Sequence, residues 1–122
     1  MIHRLMTESA DLTTKRDFEA FIRMLKESLR DRLANEWPAF RAALFQIGDG
    51  FVDRTRSDMA RWTGLLSTGA LSRDDFEWLV FGRRELAELE ALRFAGLSLA
   101  QIDRFRAMLV ETIVGTAFRH FL

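Results

Sequence analysis

The chain has 122 residues, 48% of them hydrophobic and 30% charged, a length and mixture that define one globular domain and exclude a disordered chain. Eighteen basic and eighteen acidic residues cancel, and they cancel locally too, with 11 against 10 over residues 1–66 and 7 against 8 over residues 67–122. No basic surface announces nucleic acid or anionic lipid, and the absence of cysteine excludes disulfides, thiolate metal sites and thiol catalysis.

Residues 1–14 show no clear period and read as a flexible lead-in to a single helical domain over residues 15–122. Thr13 or Thr14 offers a helix start, with Asp17 three residues after Thr14 in a capping-box position. Nothing here has the apolar run of a signal peptide. The longest weakly charged tract, Ala107–Leu122, is interrupted by Glu111 and Arg119 and falls short of the roughly 20 apolar residues a membrane span requires. A cytoplasmic location is therefore the expectation.

From Phe18 to Leu66 an apolar stripe recurs every three or four residues, the period of an amphipathic helix. It includes Phe18, Ile22, Leu25, Leu29, Leu33, Trp37, Phe51, Met59, Trp62 and Leu66, and Thr55 is its one polar member. Two helices are expected on it, over 15–34 and 36–67. The break is Asn35-Glu36-Trp37-Pro38, because proline is tolerated in a first turn but costs about 3 kcal/mol in a helix interior. The chain either turns there or stays one long kinked helix, and a stripe without a phase jump favours the kink. Gly48-Asp49-Gly50 lies inside the second helix, where two glycines cost roughly 2 kcal/mol against alanine.

Ser72 with Asp75, and Ser98 with Gln101, are start signals for two further helices, over 73–95 and 99–121. Gly69 and Gly96 are the matching stops. Phe76, Leu79, Val80, Leu86, Leu89 and Leu92 form the inward face of the third helix. The fourth is apolar over most of its circumference, the mark of a helix buried on several sides. The fold class is all-α, a bundle of three to four long antiparallel helices.

The chemistry searched for is not found. His3 and His120 are the only histidines, and neither forms the Glu-x-x-His pair of a di-iron bundle. No nucleophile elbow and no phosphate-binding glycine loop is present. Asp74, Asp75 and Glu77 sit where acids favour the positive end of a helix dipole. No catalytic, cofactor-binding or metal residue is assigned, and a non-enzymatic protein is expected.

Glu90–Ile102, with its Ala-Gly-Leu-Ser-Leu core, locally resembles the second helix–turn–helix of mercury-resistance-type transcription regulators. The resemblance implies a nucleic-acid-binding regulator using residues 73–106, and no site residue carries over. The stronger expectation is association. If the chain only kinks at Pro38, the first arm has no cover of its own. Phe18, Phe21, Ile22, Leu25, Leu29, Leu33, Trp37 and Trp62 then form an interface with a second copy, a dimer being favoured, or with another helical protein.

Overall fold

The computed structural model describes residues 2–122, with side chains from Arg16 onward except that of Glu88. Among the described residues the chain forms five α-helices and one 3₁₀ segment. The helices are α1 (Ile2–Glu36), α2 (Arg41–Arg54), α3 (Arg56–Ser67), α4 (Arg73–Phe81) and α5 (Leu99–Phe121), and the 3₁₀ segment is Arg84–Ala95. The all-helical class stands, but six helical segments replace three or four long helices, because the second and third expected helices are each divided. The backbone of the expected lead-in belongs to α1 from Ile2 onward. Met1 and the capping expected of Thr13 or Thr14 lie outside the described residues and side chains.

At Pro38 the chain turns fully instead of kinking. Leu33 accepts the last α1-type bond from the Trp37 amide at 2.9 Å, and α2 starts after Phe40. A residue before proline is held out of the helical region, so Trp37 cannot carry the helix onward. Beyond the turn α2 runs back along α1. Lys26 Nζ lies 3.0 Å from carboxylate oxygens of both Asp49 and Asp53, Arg30 stacks on Phe45, and Arg56 pairs with Glu19. Burial alone would lower the Lys26 pKa, but the hydrogen bonds its ammonium donates to Asp53 and Asp49 outweigh it and hold the pKa above the ordinary value. The in-phase stripe has closed on itself, because one continuous apolar face folded in half presents matching faces to both arms.

The first arm is therefore not bare. Phe21, Ile22, Leu25, Leu29 and Leu33 are buried in the core of their own chain, Trp62 is buried with them, and Phe18 and Trp37 are half-buried at its edge. The interface expected at these eight positions depended on an uncovered arm, and the reversal at Pro38 removes that premise.

The second expected helix is divided at Thr55, the single polar member of the stripe. Its buried hydroxyl donates to the Phe51 carbonyl at 2.8 Å and reaches that of Val52 at 3.4 Å, a back-bond that bends helices. The glycine pair does not interrupt α2. At Gly48 a Cβ would fall 2.6 Å from Leu29 Cδ2, whereas nothing lies within 4 Å of one at Gly50. Gly48 is the point where α2 closes onto α1.

The third expected helix is also divided. After α4, Gly82 and the extended Arg83 lead into the 3₁₀ segment. Leu86, Leu89 and Leu92 recur at strict steps of three and are all buried. At three residues per turn they stack on one face, whereas an α-helix would fan them about 60° apart at each step. Arg83 anchors the start of this segment. It donates to Glu85 at 2.6 and 2.9 Å and pairs with Asp58 of α3. That bond from Arg83 holds the Glu85 carboxyl below its ordinary pKa. The left-handed Gly96, at φ 94°, ends the segment.

The fourth helix forms as read. Ser98 caps it, accepting from the Gln101 amide at 3.2 Å while its own amide donates to the Gln101 side chain at 2.8 Å. α5 is the axis of the fold, packed against α1, α3, α4 and the 3₁₀ segment. It runs antiparallel to α1, with Arg32 donating to Thr112 at 3.0 Å and the His120 Nε2–H donating to the Asp17 carbonyl at 2.8 Å.

Candidate functional site

One side of α5 remains open. From Met108 to Ala117 the helix is buried except at Glu111 and Gly115, and these two continue a strip of exposed or half-exposed residues, Arg104, Ala107, Glu111, Gly115 and Arg119, spaced by three or four residues. α1 stands on one side of this strip and α4 on the other, leaving a groove between them. At the turn end lies a cleft of about 620 Å³, bordered by Trp37, Pro38, Phe40, Gln101, Arg104 and Met108. It continues into a depression of about 270 Å³ against α4, bordered by Arg73, Phe81, Val110 and Val114. A third depression of about 410 Å³ lies against α1, bordered by Ser28, Asp31, Thr112 and Gly115. Glu111 borders all three, Ala107 joins the first two, and Arg32 joins the first and third. From Gln101 to Arg119 the floor is roughly 27 Å long at about 1.5 Å per residue.

The groove carries charge of both signs on an apolar frame. Arg32 spans its middle, reaching Glu36 at 3.5 Å and Glu111 at 3.7 Å. Arg104 lies over the ring of Trp37, 5.2 Å from its centroid, and Arg73 over Phe118 at 4.9 Å. Among the described residues no ion pair engages Arg73, Arg104 or Arg119, nor Asp31 or Glu77. α4 also carries Trp78, whose surface is 78% exposed, three residues before the half-exposed Phe81 of the groove wall. Phe94 is still more exposed at 97%, and neither Trp78 nor Phe94 itself borders any of the three depressions.

Of the eight residues expected at an interface, only Trp37 borders the groove. Trp62 instead meets Phe76 edge-on at 6.5 Å in the core. Phe18 borders a separate cleft of about 600 Å³ between the α1, α3 and α5 surfaces, with Gly64, Ser67 and His120. The groove residues were missed because they are the polar and small positions of an apolar helix. The same three-and-four spacing that marks a core stripe marks them as well, and that was the available signal.

Among the described residues no group of three or more His, Asp or Glu side chains is placed to hold a metal ion. No helix among them is long and apolar enough to cross a membrane. Comparison of the chain with protein-family models, curated proteins and solved structures finds no match.

Proposed function

We propose that this chain is a non-enzymatic helical association protein and that the groove along α5 is its binding surface. The observation that carries the reading is the open strip through Ala107, Glu111 and Gly115 on a helix whose other residues from Met108 to Ala117 are all buried. Grooves of this kind, with an apolar frame and charged rims, take up an amphipathic helix whose side chains repeat every three to four residues. The groove is long enough for about five turns of such a helix. Two of its arginines are held in ways that suit recognition rather than reaction: Arg32 is tied to two carboxylates, and Arg104 rests on an aromatic face.

The test is a titration of the full chain, at low concentration, into a fluorescent neutral helical peptide with leucine on one face and glutamine on the other. Saturable binding is expected, weakened about tenfold or more by Ala107→Arg, which places a charged chain on the groove floor. Ala107 is exposed, so the variant keeps its fold, checked by its helical circular dichroism. A chain that binds neither the peptide nor a second copy of itself contradicts the reading.

A further inference from the structure

We infer that the occupant of the groove is a second copy of this chain, the Trp78 crest of each copy seating in the other copy's Trp37–Arg104 cleft about a two-fold axis. This deepens the reading of the groove as an association surface and rests on it.

Three observations point to a second copy. First, the helix that walls the groove also carries a protruding ring. Phe81 is part of the groove wall, and Trp78, three residues before it on α4, lines none of the depressions and has most of its surface in water. A two-fold axis brings the same patch of each copy against the other, so a protrusion beside a hollow is the shape such an interface needs. Second, the cleft's chemistry suits an indole. Arg104 already lies over one indole, that of Trp37, and a guanidinium stacks between two rings as readily as on one. Met108, almost fully buried at the same cleft, adds an adaptable apolar side chain beside an entering ring. Third, the unpaired charges are of both signs. Among the described residues Arg73, Arg104 and Arg119 lack carboxylate partners, as Asp31 and Glu77 lack cationic ones, so two identical faces can exchange pairs. The chain's net charge of zero adds no repulsion between copies. A nucleic acid fits less well, because its phosphates would meet Glu111 at the centre of the groove and Asp31 and Glu77 on its rims.

Solution mass across a wide concentration range, read by analytical ultracentrifugation, tests the inference through complementation. Trp78→Ala removes the crest and keeps the cleft, while Ala107→Arg blocks the cleft and keeps the crest. Wild type is expected to dimerise, and each variant alone to dissociate at least about thirtyfold more readily, the effect of losing a tryptophan anchor. An equal mixture of the two variants is expected to regain part of the association, since one crest still meets one intact cleft. Unfolding could not produce that recovery. A dimer unchanged by Trp78→Ala, or a mixture no better than its components, overturns the inference. If the wild type stays monomeric while the neutral helical peptide binds, the second-copy inference falls and the groove keeps its role. If neither forms, both fall.

Discussion

α5 and the 3₁₀ segment Arg84–Ala95 are neighbours in sequence, pack against each other and carry similar apolar content, yet they fold differently. In α5, apolar residues at mixed steps of three and four wrap most of the helix, and Ile102, Phe105, Leu109 and Ile113 reach the centre of the core. In the 3₁₀ segment, leucines at strict steps of three make one narrow face, and apart from the exposed Phe94 the rest is polar or small. The difference teaches that the step, not the number of leucines, selects the helix type. 3₁₀ hydrogen bonds are poorer in geometry and such runs are normally short. The segment therefore depends on its anchors, Arg83 at one end and Gly96 at the other, whereas α5 is held along its whole length.

Substitutions can sharpen that contrast. The largest effect is expected from Phe105→Ala in α5, a loss of about 3–5 kcal/mol of unfolding free energy by chemical denaturation. Leu89→Ala in the 3₁₀ segment is expected to cost only about 2 kcal/mol, because a one-sided surface segment can collapse into the space it leaves. Equal losses would show that the two elements are held alike. A smaller effect separates the two glycines of α2. Gly48→Ala must displace the packed Leu29 beneath α5, and overpacking of about 1–3 kcal/mol exceeds the helix-propensity gain of about 1 kcal/mol. Gly50→Ala meets nothing and is expected to stabilise by up to about 1 kcal/mol, read as opposite shifts in melting temperature.

The smallest expected effect is one of pH. Arg83 holds the Glu85 carboxyl below its ordinary value, so this contribution to stability is complete above the unfolded carboxyl's pKa. It fades as the pH falls through the lowered folded value. Amide exchange in acid should therefore rise in the 3₁₀ segment before it rises in α5, and Glu85→Gln should abolish the difference in pH dependence. An earlier opening of α5 would contradict the assignment of the anchors.

Much of this fold is written in local signals. The two serine caps, the stops at Gly69 and Gly96, and the start of α5 follow from short-range signals that the residues themselves specify. The reversal at Pro38 does not, because a stripe in constant phase is compatible with a rod and with a rod folded in half. Only pairing across the turn, as between Lys26 and Asp53, decides between them. Thr55 carried a legible hint as the one hydroxyl on a greasy face. The leucine triplet 86–89–92 fits an α-helix loosely and a 3₁₀ helix well, and choosing between them required Gly82 and Arg83 to be seen as a break. The groove was the least legible feature, since it is made by helices distant in sequence standing apart over α5.

The most direct test of the central claim is an amide NMR map of the full chain, recorded while its concentration is raised and again with the helical peptide. The shifts are predicted to cluster at Trp37, Arg104, Ala107 and Glu111, with Trp78 joining them as the concentration rises. Shifts confined to the Phe18–Leu33 stretch of α1, or none under either condition, would contradict a groove on α5 as the place where this protein meets its partner.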